Sequence, residues 1–310
     1  MISVVVPIYN EQANIESLLV RLTAALGQLQ RPYEIVLVDD GSRDNSLLML
    51  KAAAHLDSHL TVVELTRNYG QHAAIFAGFS QVRGEIIITI DADLQNPPEE
   101  IPRLIACMEV GDYDLVGTVR KERKDSPLRK LPSKIVNAMA RKITGVRMSD
   151  WGCMLRAYRR VVVDHMLRCR EHGTFIPALA TYFSKNFTEI EVEHFARQGG
   201  ESKYGLFSLI RLQFDLVASF SELPMRILMY GGIFMSLMGI SFGVFLAVLR
   251  LAYGVKWAAQ GVFTMFAVLF VFVGLQFFAM GIIGEYIGRI YREVRKRPEY
   301  VIHRIIRKAE

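Results

Sequence analysis

Cysteine is scarce in this chain of 310 residues, which contains only Cys107, Cys153 and Cys169. Their spacing does not match a metal-binding motif, so we expect three reduced thiols without a ligand role, as in the cytosol. The N-terminus lacks the basic residues and cleavage site of a signal peptide, because Met1 leads directly into an apolar strand. No nucleic-acid recognition motif is present, and the net charge of +6 favours attraction to an anionic membrane and an anionic acceptor.

Charged residues are also absent from two long apolar runs that follow Pro224. The runs span residues 227–249 and 257–284, and each exceeds the roughly 20 apolar residues that a helix needs to cross a bilayer. The alternative is a pair of buried core helices, but such helices usually keep a polar stripe. We therefore expect transmembrane helices at 225–252 and 257–284, separated by a short connector.

Basic residues indicate how this helical hairpin is oriented. The tail at 285–310 carries eight lysines and arginines, whereas the connector carries only Arg250 and Lys256. Because positively charged segments remain on the cytoplasmic side, we expect the tail and the N-terminal domain to be cytoplasmic and the connector to face outward.

Two further segments are typical of a membrane surface. Residues 119–147 hold ten lysines and arginines and only two acids, with apolar residues at helical spacing. This pattern predicts a basic loop and amphipathic helix lying on the membrane, although a solvated basic helix is the alternative. Residues 204–224 also have one apolar face, which predicts juxtamembrane amphipathic helices.

The first part of the chain alternates between strand-like and helix-like patterns. Runs of β-branched residues predict strands, and apolar residues at helical spacing predict helices. The predicted strands are 3–6, 33–38, 60–65, 85–90 and 114–118, and the predicted helices are 11–29, 44–54, 70–82 and 98–108. This alternation predicts an α/β domain at 1–203, with an open, mostly parallel sheet and helices on both faces.

Polar residues cluster where three of these strands end, at 9–11, 39–42 and 91–95. Ligands bind such sheets at the carboxyl ends of the strands. Asp91 and Asp93 provide two carboxylates, which suit a hard divalent cation that also binds substrate phosphates. The alternative role for these two aspartates is to cap a helix or a turn. Residues 39–42 alone would be interpreted as a plain Asp-Gly turn. Their position beside the other two clusters favours a role in contacting the base and ribose of a nucleotide.

These motifs resemble those of the inverting family-two glycosyltransferases of the GT-A fold. The resemblance rests on Pro7-Ile8-Tyr9-Asn10-Glu11, Asp39-Asp40-Gly41-Ser42 and Asp91-Ala92-Asp93-Leu94-Gln95. It narrows to the polyprenyl-phosphate glycosyltransferases through further segments at 67–72, 96–102, 152–156, 200–204 and 284–289. The similarity covers essentially the whole chain.

The resemblance implies roles for individual residues. It implies a nucleotide site formed by Pro7, Tyr9, Glu11, Asp39, Asp40 and Asp91, and a Mg²⁺ or Mn²⁺ site formed by Asp91, Asp93 and Gln95. It implies catalytic roles for Asp93 and Asp150, with Asp150 either a general base or a group that orients the acceptor. The implied ligands of the phosphates are Arg120, Arg129, Arg156, Arg197, Ser202 and Lys203.

The activity implied by the resemblance is inverting transfer of a sugar from UDP to a polyprenyl phosphate such as undecaprenyl phosphate. The product would be a lipid-linked monosaccharide used to modify lipid A or another envelope glycan. Among donors, 4-deoxy-4-formamido-L-arabinose is favoured, while glucose, N-acetylglucosamine and galacturonic acid remain open. The resemblance also implies a bacterial inner membrane protein that forms a homotetramer, in which a strand at 299–303 would add to a neighbouring copy.

Three other functions are less well supported by the sequence. A processive polysaccharide synthase would carry a Q-x-x-R-W segment, which is absent from the chain. A membrane-tethered nucleotide-sugar sensor predicts an eroded metal site, whereas Asp91, Asp93 and Gln95 are all present. A transporter would need more membrane-spanning segments, or polar residues within those segments that could bind and move a substrate.

Overall fold

The computed structural model describes residues 1–120, 152–169, 175–193, 195, 223–253, 262–295 and 297–308. The chain divides into two compact units. The first comprises Met1–Leu216 together with Pro298–Glu310, and the second comprises Val217–Arg297. The second unit is therefore an insertion, whose two ends both continue into the first unit.

Within the described residues, the first unit contains one sheet of eight strands in the order β7-β5-β6-β4-β1-β2-β3-β8. The strands are β1 Ile2–Ile8, β2 Tyr33–Asp39, β3 Leu60–Leu65, β4 Ile86–Thr89, β5 Leu115–Arg120, β6 Arg156–Arg159, β7 Phe187–Val192 and β8 Ile302–Arg307. Its helices are α1 Ile15–Gly27, α2 Ser46–Leu56, α3 Gln71–Phe79, α4 Ile101–Val110, α5 Arg160–Arg168 and α6 Ile176–Phe183. A 3₁₀ turn at Pro98–Glu100 precedes α4.

The middle of the sheet is parallel and its sides are mixed. β3, β2, β1 and β4 run parallel to one another, and β6 is antiparallel to both β4 and β5. β5 consequently runs in the same direction as β4. The predicted α/β class with a mostly parallel sheet is confirmed.

Side chains of β1 alternate between the two faces of the sheet, as the period of a strand requires. Val4 and Val6 belong to the same buried cluster as Leu18 and Leu22 of α1. On the other face, α3 lies so close to the sheet that a Cβ atom at Gly78 would overlap the Val5 side chain. Glycine is therefore required at position 78, and helices cover both faces as predicted.

The last described strand, β8, closes one edge of the sheet. It pairs antiparallel with β3, with Val62 opposite Ile306 and Val63 opposite Ile305. The sequence placed this strand at 299–303 and assigned it to a neighbouring copy, whereas the structure pairs it with β3 of its own chain. The pairing occupies backbone groups of β3 that would otherwise form an open edge.

The second unit contains two long helices, α7 Leu223–Tyr253 and α8 Val262–Val294. Their apolar segments, Leu228–Tyr253 and Val268–Gly288, have mean hydropathies of 2.2 and 2.0. Both are long and apolar enough to cross a membrane, and 0% of either segment is buried within the protein. This exposure does not fit the core-helix alternative. The second helix also continues beyond residue 284, where the sequence analysis ended it.

Candidate active site

Three neighbouring parallel strands bring the polar clusters to one edge of the sheet. Ile8 at the end of β1 is opposite Asp39 at the end of β2, and Val5 is opposite Thr89 at the end of β4. The segments that follow these strands contain Tyr9, Asp40 and Asp91. Because the strands point the same way, all three segments leave the sheet at its carboxyl edge.

The loops after β1 and β2 are joined by hydrogen bonds. The amide of Asn10 donates to Oγ of Ser42 at 3.1 Å, and the amide of Arg43 donates to Oδ1 of Asn10 at 2.7 Å. The amide of Glu11 donates to Oγ of Ser46 at 3.0 Å. These contacts fix residues 9–11 relative to the loop after β2, so the two predicted nucleotide-binding segments form one wall.

Gly41 permits the sharp turn that follows the two aspartates. Its φ of +70° is a left-handed conformation that favours glycine. A Cβ atom there would lie 2.6 Å from the carbonyl carbon of Arg67. The loop after β2 thus packs closely against the loop after β3. A plain Asp-Gly turn would not require this contact.

Asp39 and Asp40 have different environments. The Asp40 carboxylate accepts hydrogen bonds from the amides of Tyr69 and Gly70, at 2.7 and 2.8 Å. Oδ2 of Asp39 accepts from the amide of Ser42 at 3.2 Å, but its Oδ1 is buried without a hydrogen-bond partner in the described structure. Burial raises the pKa of both carboxyl groups. Asp40 therefore orders the backbone, while Asp39 has a free acceptor atom.

The loop after β4 presents the two carboxylates predicted to bind a metal ion. Asp91 and Asp93 are both half-buried, and Oδ1 of Asp93 accepts a hydrogen bond from the amide of Gln95 at 3.1 Å. Leu94, which follows Asp93, is buried and has a φ of +57°. A bulky residue in this region is strained, and such strain concentrates at functional sites. The tight turn keeps both carboxylates at the sheet edge.

These residues fit a magnesium or manganese ion that is completed by substrate. Among the described residues there is no group of three or more histidine, cysteine, aspartate or glutamate side chains that would hold an ion by itself. Mg²⁺ usually needs only one or two carboxylates, together with water and substrate phosphate oxygens. The pair Asp91 and Asp93 matches this donor set.

Sequence analysis missed the contribution of the segment after β3. Nε2 of Gln71, the first residue of α3, donates a hydrogen bond to Oδ1 of Asp91 at 2.5 Å. The motif at 67–72 was noted for its resemblance to the transferase family, but a contact across 20 positions of the sequence depends on the folded packing.

Arg156 and Arg120, two of the predicted phosphate ligands, differ in accessibility. Arg156 is fully buried at the start of β6, and its Nε donates to the carbonyl oxygen of Cys153 at 2.8 Å. The role of Arg156 as a phosphate ligand stays a prediction. Arg120 is half-buried at the end of β5. Because β5 runs parallel to β4, Arg120 lies at the same sheet edge as Asp91.

Arg156 acts electrostatically on the same region. Burial raises the pKa of the Tyr158 hydroxyl, the positive charge of Arg156 opposes this shift, and the charge of Asp91 adds to it. Both charges are thus close to one buried tyrosine.

The remaining residues that were predicted to act in catalysis or to bind phosphate lie outside the described part of the chain. They are Arg129, Asp150, Arg197, Ser202 and Lys203. The segments 121–151 and 204–222 also lie outside it.

The mostly parallel sheet and the paired carboxylates beyond its β4 strand are the features of a glycosyltransferase that uses nucleotide-linked sugars. Residues 3–167 match the family described as glycosyl transferase family 2, and the chain belongs to this family. Its predicted membership and its class as an enzyme are thereby confirmed.

Curated relatives match the chain from end to end. It is 55% identical over 310 residues to the undecaprenyl-phosphate 4-deoxy-4-formamido-L-arabinose transferase of Klebsiella pneumoniae, covering 100% of this chain and 94% of that protein. The protein of the same name from Shewanella sediminis is 54% identical over 306 residues, covering 98% and 92%. The protein of the same name from Aeromonas hydrophila is 53% identical, covering 100% and 95%.

Solved structures show the same fold at lower identity. Glucosyl-3-phosphoglycerate synthase of Mycobacterium tuberculosis has a TM-score of 0.52 and 19% identity, covering 71% of this chain and 80% of that one. A complex of that enzyme with Mn²⁺, uridine diphosphate and phosphoglyceric acid has a TM-score of 0.50 and 19% identity, covering 70% and 76%. These similarities bear on the fold alone.

Proposed function

We propose that this protein transfers 4-deoxy-4-formamido-L-arabinose from UDP to undecaprenyl phosphate, with inversion at the anomeric carbon. The observation that carries the proposal is the 55% identity along the whole chain to a transferase named for that sugar and that lipid. The acidic sheet edge supports it, because its carboxylates can hold a divalent cation whose positive charge compensates that of the departing nucleoside diphosphate. The product is a lipid-linked monosaccharide available for modification of lipid A or another envelope glycan.

The reaction is a single displacement without a covalent enzyme intermediate. A phosphate oxygen of the lipid attacks the anomeric carbon as the bond from that carbon to the UDP oxygen breaks. A phosphate monoester has a second pKa near ~6, so the acceptor is largely dianionic at neutral pH and needs no strong base. Asp150 would orient this acceptor or serve as its base. Positioning and electrostatic stabilisation supply most of the acceleration.

A divalent cation, Mg²⁺ or Mn²⁺, would be held by the carboxylates of Asp91 and Asp93, with Gln95 as a further predicted ligand. When bound, it supplies a Lewis acid that stabilises the negative charge of the leaving diphosphate. Arg120 at the same edge attracts the acceptor phosphate, and arginine suits this task because it binds phosphate oxygens in pairs. Pro7, Tyr9 and Glu11 line the wall beside the nucleoside.

A panel of UDP-sugars tests the proposed reaction. The full-length protein in detergent would be incubated with undecaprenyl phosphate, Mg²⁺ or Mn²⁺ and radiolabelled UDP-linked formamido-arabinose, glucose, N-acetylglucosamine or galacturonic acid. We expect labelled lipid with formamido-arabinose at a rate well above that with any other sugar. Transfer of another sugar alone would contradict the donor. Binding of UDP without transfer of any sugar would favour the sensor function.

Asp39 is proposed to recognise the uracil base through its unpartnered Oδ1. Uracil carries an N3–H donor that would satisfy this acceptor, whereas cytosine presents an acceptor at the same position. Asp39→Asn should weaken UDP binding roughly ten- to hundredfold, since a buried hydrogen bond that is lost costs about 1–3 kcal/mol. CDP binding should not weaken.

Calorimetric titration of both nucleotides would measure this change in base preference. Asp57→Asn serves as the matched control, because Asp57 lies at the other end of α2, before β3 begins. An equal loss of UDP and CDP affinity in Asp39→Asn would argue against base recognition.

The membrane topology is also proposed from the fold. Because the chain leaves the first unit and returns to it, the helices between must cross a bilayer an even number of times if they cross at all. The basic tail favours a cytoplasmic location of that unit in the bacterial inner membrane. A cysteine at Gly254 in the connector should react with an impermeant thiol reagent added to intact cells, whereas one at Lys308 should not. The reverse labelling pattern would refute this topology.

The assembly of the protein into a homotetramer stays a prediction.

A further inference from the structure

Three consecutive residues, Tyr69, Gly70 and Gln71, connect the ends of two strands that flank β1. The amides of Tyr69 and Gly70 donate to the two carboxylate oxygens of Asp40, which follows β2. The next side chain, Gln71, donates to Oδ1 of Asp91, which follows β4. The segment therefore fixes one acidic residue by its backbone and the other by a side chain.

The direction of the second hydrogen bond is determined by its chemistry. An ionised carboxylate only accepts hydrogen bonds, so the side-chain amide of Gln71 must present its N–H group to Asp91. The distance of 2.5 Å from Nε2 to Oδ1 indicates a close contact, and Gln71 is half-buried at the first turn of α3. Asp40 anchors the backbone directly before this residue, which limits how far the amide can move away from Asp91.

We propose that Gln71 is a positioning residue for the divalent cation of the proposed transferase, because its amide holds the Asp91 carboxylate in the orientation that binds the ion. This inference rests on the proposed function, in which Asp91 and Asp93 hold Mg²⁺ or Mn²⁺. Groups that orient a metal ligand by hydrogen bonding typically change metal affinity or activity by 10–100-fold when they are removed. Gln71 itself is not a ligand in this proposal.

Replacement of Gln71 by methionine removes the donor while keeping an unbranched side chain of similar length. We expect the Mn²⁺ concentration for half-maximal binding, in the presence of UDP, to rise roughly 10–100-fold. Electron paramagnetic resonance of unbound Mn²⁺ would measure this directly in the detergent-solubilised full-length protein. In the transfer assay, the Mn²⁺ dependence should shift by the same factor, and kcat at saturating Mn²⁺ should stay within a few fold of wild type.

Gln81→Met is the matched control, since Gln81 follows the other end of α3 and its side chain donates only to Oγ of Ser80 among the contacts described. Its Mn²⁺ binding should equal that of wild type. A second variant, Gln71→Asn, keeps the amide but shortens its reach, so it should weaken Mn²⁺ binding as Gln71→Met does. Circular dichroism of each variant would verify that the fold is retained.

The outcomes separate this inference from the proposed function. If wild type transfers sugar and binds Mn²⁺, but Gln71→Met binds Mn²⁺ with unchanged affinity, the positioning role is refuted and the transferase function stands. A fall in kcat that persists at saturating Mn²⁺, without a shift in Mn²⁺ affinity, also refutes it. If wild type transfers no sugar, the proposed function fails, while the Mn²⁺ measurement still decides whether Gln71 orients Asp91.

Discussion

Replacement of Asp93 by asparagine should reduce sugar transfer by at least about a thousandfold while UDP still binds. Asparagine keeps the size of the side chain and an oxygen atom, but it loses the negative charge that attracts a divalent cation. Lewis-acid stabilisation of a leaving group contributes several kcal/mol, and about 4 kcal/mol corresponds to a thousandfold change in rate. Asp91→Asn should cause a comparable loss.

The assay is transfer of labelled sugar to undecaprenyl phosphate over a range of Mn²⁺ concentrations. Asp164→Asn is a suitable control, because Asp164 is on the surface of α5, paired with Arg160 at 3.1 Å. Exposed ion pairs of this kind contribute little to stability, so this variant should retain wild-type activity. EDTA should abolish transfer by wild type as completely as the substitution does.

Substantial transfer by Asp93→Asn in the presence of EDTA would show that the reaction does not depend on a cation at this loop. Loss of UDP binding together with loss of the fold, seen by circular dichroism, would instead assign Asp93 a structural role.

The relative size of the effects of two substitutions is also informative. Asp93→Asn should be more severe than Gln71→Met, since a ligand cannot be replaced by raising the metal concentration.

The central strands were predictable because their sequences are mostly apolar and β-branched and are bounded by turn residues. β3 was predicted at its observed limits of Leu60–Leu65, and β1 extends the prediction of 3–6 to Ile2–Ile8. β6 escaped prediction because its short sequence contains Arg156 and Arg159, although Arg156 is fully buried. β6 forms by pairing with β4 and β5, which are distant in sequence, and such pairing leaves no periodic pattern in a strand of four residues.

The candidate site shows the same division between local and distant information. The parallel direction of the strands followed from the alternation of elements, and it placed the acidic clusters at one sheet edge. The individual role of each carboxylate did not follow from it. Asp39 and Asp40 are adjacent in sequence, but only the fold brings the amides of Tyr69 and Gly70 to Asp40 and leaves Oδ1 of Asp39 unpartnered in the described structure.

Because of His72, the free energy of unfolding of the protein should decrease markedly as the pH falls from 6.5 to 4. Nδ1 of this residue is buried without a hydrogen-bond partner in the described structure, and its ring contacts the ring of Phe175 edge-on at 5.6 Å. Burial lowers the pKa of His72 from 6.5 to about 4. Above pH 6.5 the imidazole is neutral in both the folded and unfolded states, so its contribution to stability does not depend on pH.

As the pH falls below 6.5, the unfolded chain gains a proton at His72 that the folded protein does not accept. The free energy of unfolding therefore decreases until the pH reaches about 4, where both states are protonated and the loss is complete. A pKa difference of this size corresponds to roughly 3 kcal/mol. Most of the loss is reached by pH 4.5, which should lower the thermal midpoint by roughly 5–10 °C.

The substitution His72→Leu removes the titrating group. The thermal midpoint of this variant should therefore fall less in acid than that of wild type, by the amount given above. Thermal unfolding of both proteins in the same detergent, at pH 7.5 and pH 4.5, would measure it, because acid effects at other groups are common to both. His55→Gln, a change at an exposed position of α2, should keep the wild-type difference between the two pH values. If His72→Leu and wild type lose the same stability, the folded protein accepts a proton at His72. Nδ1 would then be accessible to water in the native state, contrary to its burial in the described structure.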